Sequence, residues 1–173
     1  MRRAGLLWAI GGALLIPGSA WLAGARLNLT SSLPAGLYLV TRRAPSRGAI
    51  VLVCLPSEVA TFARIRGYVP RGTCPAWTAP VGKVVLAVPG DTVAVLRAGL
   101  QVDGAPVPTS LAKASDSHGR PLPRLSLGRY VVRRGELWLV GRHTLSFDSR
   151  YFGPVASSGV LGVIRPLWLL GGK

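Results

Sequence analysis

The sequence has no CxxC pair, no histidine–cysteine grouping at metal-ligand spacing, no glycine-rich phosphate loop and no internal repeat. The first two absences leave a zinc centre without ligands, and neither a metal nor any other cofactor is expected. Without a phosphate loop or a β-α-β rhythm, a nucleotide-binding α/β domain has nothing to stand on. Histidine is nearly absent too. His118 sits among Ser117, Gly119 and Arg120, and His143 follows Arg142 near a strand end; neither context suits a catalytic triad.

Acidic residues are scarce: Asp and Glu number 6 against 21 Lys and Arg, for a net charge of +15. Such a balance invites a nucleic-acid reading. The basic residues are scattered, however, with pairs at Arg42-Arg43 and Arg133-Arg134, and no nucleic-acid fingerprint accompanies them. Attraction to an anionic membrane surface, at about 1 kcal/mol per basic residue near the headgroups, explains the charge with less machinery. No nucleic-acid partner is expected.

What the chain does have is a long apolar start. Ala4 to Ala25 carries no charge, enough to cross a hydrocarbon layer of roughly 30 Å at about 1.5 Å per residue. Pro17 and several glycines weaken such a helix, yet membrane helices tolerate both. A cleaved signal peptide is the alternative, with Arg2-Arg3 as its basic start and Ala23-Gly24-Ala25 as a small-x-small cleavage site. Arg2-Arg3 puts the N-terminus in the cytoplasm, and long domains translocate despite their own charge. The domains expected are thus a cytoplasmic tip and transmembrane anchor over 1–25, then an extracytoplasmic domain over 26–173. In that compartment the pair Cys54 and Cys74 suggests one disulfide; two buried free thiols are the alternative.

After the anchor, short β-rich runs recur between turn signals, which predicts an all-β domain. The runs are Leu37–Thr41, Ala49–Leu55, Lys83–Val88, Thr92–Leu96, Gly128–Arg133, Glu136–Val140 and Gly159–Ile164, with a hairpin over Gly99–Val107 around Asp103-Gly104. One helix is predicted from Ser57 as N-cap to Gly67 as stop, with Val59, Phe62, Ala63 and Arg66 on one face. Over 105–128, Pro106, Pro108, Pro121 and Pro123 break the pattern, and the stretch reads as an exposed excursion.

Three segments carry chemistry. Thr30-Ser31-Ser32-Leu33-Pro34-Ala35-Gly36-Leu37-Tyr38 follows the anchor directly. Lys83 then heads an apolar run that ends in the turn Pro89-Gly90-Asp91. A lysine at the edge of an apolar strand loses solvent around its amine, and burial lowers its pKa. The third segment is Ser146-Phe147-Asp148-Ser149-Arg150-Tyr151-Phe152-Gly153. Asp148 and Arg150, two apart, fall on the same side of an extended segment; alone they would be a surface ion pair worth little.

Together the three resemble the signal peptidase I superfamily, and most closely its conjugative-transfer peptidase branch, the TraF type. Thr-x-Ser-x-Pro-x-Gly-x-Tyr is similar to the nucleophile box of that branch, Lys-x5-Pro-Gly-Asp to the lysine box, and Ser-x-Asp-Ser-Arg-Tyr-x-Gly to the C-terminal box. Ordinary bacterial signal peptidases have Ser-Met-x-Pro; here Ser32 is followed by Leu33-Pro34, which favours the TraF type. Ser31 is a neighbouring candidate nucleophile, and Ser32 fits the box better.

The resemblance implies a signal-peptidase-like antiparallel β-sheet domain with one N-terminal transmembrane helix, in the bacterial inner membrane with the catalytic domain periplasmic. It implies Ser32 as nucleophile, Lys83 as general base, Thr30 and Ser32 as oxyanion-hole donors, Ser146 as the group that orients the lysine, and Asp148 and Arg150 as structural support. It further implies a serine endopeptidase that matures a membrane-inserted pilin-type precursor, by hydrolysis or with cyclisation, beside other conjugation or secretion components. A general signal peptidase is the first alternative, and a non-catalytic periplasmic scaffold the second. A LexA-type autoprotease shares the Ser–Lys logic but would carry a DNA-binding module in place of the apolar start.

Overall fold

The computed structural model of the protein describes residues 24–28 and 34–170. The expected anchor lies almost wholly outside them, as do Thr30, Ser31 and Ser32. Among the described residues no helix is long and apolar enough to cross a membrane. Ala25, placed at the end of the anchor by the sequence, is the first residue of a strand, and Val40 N–H donates to the Gly24 carbonyl at 2.9 Å.

Two antiparallel sheets make up the described fold. The larger runs in the order β1 (Ala25–Asn28), β2 (Gly36–Thr41), β12 (Val160–Leu169), β3 (Ile50–Val53), β5 (Val81–Ala87), β10 (Glu136–Val140), β11 (Val155–Ala156). The smaller runs β8 (Ala105–Pro106), β7 (Gly99–Val102), β6 (Thr92–Leu96), β9 (Gly128–Val131). A further strand, β4 (Arg71–Cys74), touches the 3₁₀ turn after it through bridges to Thr78.

Alternation along the central strands builds the core, because successive side chains point to opposite faces. Val51 and Val53 on β3, Val85 on β5 and Leu137 and Leu139 on β10 fill one cluster. Ala87, Val93, Val95, Leu100, Val102, Val132 and Trp138 join the two sheets in another. On β5 the buried positions are Lys83, Val85 and Ala87, so the same period that makes the core turns one lysine inward.

Most predicted elements are present with shifted ends. The hairpin turns at Asp103 (φ 50°) and Gly104 (φ 84°), the two positive φ values that a type I′ turn needs. Asp91 N–H donates to the Val88 carbonyl across Pro89-Gly90, with Gly90 at φ +96°. β12 runs on past its predicted end through Pro166, and the register shift between Pro166 and Trp168 is where the ladder accommodates a residue without an N–H.

The helix α1 spans Ser57–Ile65, and here the prediction needs a correction. Its N-cap is Pro56 with no side-chain cap hydrogen bond; Ser57 is the first helical residue, because the Pro56 carbonyl already accepts from Ala60 N–H at 2.8 Å. The stop is as expected. Gly67 (φ +74°) donates to the Arg64 carbonyl and Tyr68 N–H to the Ala63 carbonyl, the paired bonds of a Schellman ending. Ala60 and Ala63 are the buried face, with Val59 and Phe62 beside them and the Arg66 guanidinium 4.7 Å from the centre of the Phe62 ring.

The excursion over 105–128 is largely exposed but anchored from beneath. Ser110 is buried, its Oγ donating to the Val107 carbonyl at 2.6 Å and accepting from Leu100 N–H at 2.8 Å. Val107 and Leu125 pack against the core between the sheets.

Candidate active site

Lys83 lies on β5 opposite Val51 of β3 and is 4 % exposed. Its Nζ donates to Ser146 Oγ at 2.6 Å. Burial drives the amine's pKa from 10.5 down to about 8; Asp148 pulls upward and Arg150 pushes downward by smaller amounts. A neutral amine has a lone pair to accept a proton, so a lysine held near pH 8 can serve as a base close to neutrality.

Ser146 is held by what surrounds it rather than by a strand. It follows β10 in the loop 141–148, where Ser146 N–H donates to the His143 carbonyl at 3.0 Å. A Cβ on Gly141 would collide with the Ser146 side chain, so only glycine fits there. Gly141 N–H also donates to Asp148 Oδ2 at 2.8 Å. Sequence reading did not single out Gly141: one glycine at a strand end gives no sign of which side chain it must admit.

Asp148 and Arg150 are not an exposed pair on an extended segment, as the sequence suggested. Asp148 caps the helical turn Ser149–Phe152, accepting from Arg150 N–H, and this brings the Arg150 side chain back over the carboxylate. Arg150 Nε and Nη2 donate to the two carboxylate oxygens at 2.8 Å each, with Asp148 at 0 % and Arg150 at 3 % exposure. Nη2 also donates to the Ser146 carbonyl at 2.9 Å and Nη1 to that of Thr144 at 3.2 Å. The buried pair therefore fixes the loop that presents Ser146 to Lys83.

Beside the lysine is a cavity of about 250 Å³. Leu55, Val69, Val81 and Phe147 give it apolar walls, and Lys83, Ser146 and Tyr151 share the lining with part of the 105–128 excursion. His143 lines it as well but is exposed, and its Nδ1 accepts from Leu145 N–H. His118 is exposed. Cys54 and Cys74 are joined in a disulfide that ties the end of β3 to the end of β4. Among the described residues no group of His, Cys, Asp and Glu is placed to hold a metal. The structure thus brings Lys83, Ser146, Asp148 and Arg150 together, while Ser32 and Thr30 lie outside the described residues.

The family model described as signal peptidase, peptidase S26, matches residues 6–169. The chain belongs to that family. Two relatives show the branch. A plasmid transfer protein TraF from Escherichia coli is 44% identical over 164 residues, covering 92% of each chain. A conjugal transfer protein TraF from Agrobacterium fabrum is 43% identical over 151 residues, covering 85% of this chain and 84% of its own. A crystal structure of a signal peptidase I from Enterococcus faecalis covers 71% of this chain and 98% of that one, at 21% identity and a TM-score of 0.40. Membership places the protein among serine peptidases, and the TraF relatives agree with the branch expected from the three boxes.

Proposed function

We propose that the protein is a membrane-anchored serine endopeptidase in which Ser32 attacks and Lys83 is the base, maturing a pilin-type precursor during conjugative transfer. The observation that carries this reading is Lys83: a lysine turned into the core, with a pKa near 8, hydrogen-bonded to Ser146 at the wall of a cavity. A purely structural lysine at a strand edge would send its amine to solvent.

In the proposed reaction, Ser32 Oγ bonds to the scissile carbonyl carbon as its proton passes to Lys83 Nζ. The oxyanion is held by Ser32 N–H and the Thr30 hydroxyl. The C–N bond then breaks and Lys83 returns the proton to the leaving amine. Ser146 holds one amine hydrogen throughout. The acyl-enzyme passes to water, giving a linear product, or to the substrate's own N-terminal amine, giving a cyclic one. Residues 1–25 anchor the enzyme in the inner membrane with its N-terminus cytoplasmic and the peptidase periplasmic. The basic surface faces anionic headgroups, other conjugation components lie nearby, and nucleic acid is not a partner.

Co-expression with candidate pilin precursors tests the proposal. A mass decrease in the precursor that disappears with Ser32→Ala supports it, and the linear product weighs one water more than the cyclic form. Precursor processed equally well by the Ser32→Ala protein contradicts it.

A further inference from the structure

The smaller sheet ends on β9, and that edge is open. The ladder decides which way its backbone groups point. Asp103 N–H donates to the Thr92 carbonyl at 2.9 Å, so Thr92 and Ala94 on β6 turn their backbone groups toward β7. Val93 and Val95 then bond to their β9 partners, Tyr130 and Gly128. The bond from Val132 N–H to the Asp91 carbonyl, 2.9 Å, continues the same alternation. The N–H and C=O groups of Arg129 and Val131 therefore face away from the sheet, and none of them has a partner among the described residues.

The side chains of this edge are of two kinds. Tyr130 points inward, its ring centre 5.6 Å from that of Trp138, so Arg129 and Val131 share the outer face. Val131 is 63% exposed, and Leu127, just before the strand, 55%. Arg129, Arg133 and Arg134 are exposed, and their guanidinium groups join no ion pair among the described residues. Glu136, the next acid along the chain, accepts from the Arg133 N–H at 2.9 Å instead.

Charge on an open edge guards a sheet against pairing with a neutral or like-charged strand. An acidic strand meets the opposite outcome, because it gains charge pairs where the others lose them. We infer that β9 is a docking edge for an extended acidic segment of a partner protein. The segment adds to the sheet antiparallel, like every strand pairing among the described residues. It sets acidic residues against Arg129 and Arg133 and a β-branched residue against Val131. Main-chain bonds give such a complex its affinity, and alternate side chains give it its choice. This edge belongs to the sheet that does not carry Lys83, and the inference stands apart from the peptidase reading.

The test uses the full-length protein in detergent micelles and a fluorescein-labelled peptide, Thr-Glu-Thr-Val-Thr-Glu-Thr, followed by fluorescence anisotropy. It should bind saturably, and about tenfold or more tighter than its counterpart with Lys in place of Glu, since like charges set face to face are rejected. N-methylation of the Glu and Val residues, whose N–H groups would face β9, should abolish binding, whereas N-methylation of the Thr residues should leave it. Amide exchange at Arg129 and Val131 should be fast in the free protein and slow by about tenfold or more in the complex. Arg129→Glu should reverse the preference between the two peptides. Val131→Pro removes an outward N–H that an edge strand does not need for its own ladder, and should abolish binding in a folded protein. No saturable binding, equal loss from both methylation patterns, or an unchanged preference in the Arg129→Glu protein overturns the inference. So does displacement by phosphatidylglycerol vesicles of a peptide that never slows the two amides, which would assign the basic edge to a lipid surface.

Discussion

If Lys83 is the base, the rate of cleavage must follow the fraction of its amine that is neutral. With a pKa of about 8, roughly a tenth of the amine is neutral at pH 7 and roughly nine tenths at pH 9, so kcat/KM should rise about tenfold across that range. An unshifted lysine at 10.5 would leave well under about 0.1 % neutral at pH 7 and would still be gaining rate at pH 10. Asp148 pulls the pKa of Lys83 upward, while Arg150 pushes it down. Asp148→Asn removes the first influence and leaves the second uncompensated, so the rising limb of the profile should move to lower pH even as kcat falls. The assay is a pH series of initial rates on the full-length protein in detergent, with a processed precursor or a peptide drawn from it. A profile flat from pH 6 to 10, or one whose limb moves upward in Asp148→Asn, would refute the assignment of that limb to Lys83.

Other consequences concern stability and rate. A folded-state pKa below the unfolded one means that the unfolded chain binds the proton more tightly, so burying Lys83 destabilises the fold by about 3 kcal/mol below pH 8, and the cost fades between pH 8 and 10.5. Lys83→Met should therefore unfold at higher urea than wild type at pH 7, with the gain shrinking by pH 10; chemical denaturation at the two pH values measures it. Reducing Cys54–Cys74, which closes a loop with a sequence separation of 20, should cost about 3 kcal/mol on the loop-entropy model, read as a lower melting temperature with reductant. Thr30→Val should slow cleavage by roughly 10²–10³-fold through loss of one oxyanion donor, and an unchanged rate would assign that oxyanion to other groups.

The fold was legible where apolar runs and turn chemistry agree. Thr92–Leu96 and Glu136–Val140 have the predicted ends because Pro-Gly and Gly signals bound a short, mostly apolar run in each, buried at three consecutive central positions. Strands β1, β4 and β11 were not legible, since each is short; β1 belongs to the segment after the apolar start, β4 makes only isolated bridges to nearby Thr78, and β11 pairs by two residues with β10. At the site, the lysine showed itself as a charge heading an apolar run. The buried state of Asp148 and Arg150 did not show, because a cap that folds a carboxylate back onto its neighbour depends on a turn only the three-dimensional loop imposes.

The most direct test of the account is the cleavage rate of the purified Lys83→Ala protein beside wild type and His118→Ala, all confirmed as folded by circular dichroism. Loss of a nucleophile or base of this kind costs on the order of 10⁴-fold or more. The account predicts such a loss for Lys83→Ala and a wild-type rate for His118→Ala. A Lys83→Ala protein that still processes its substrate within about tenfold of wild type, a small fraction of that expected loss, contradicts the Ser–Lys mechanism.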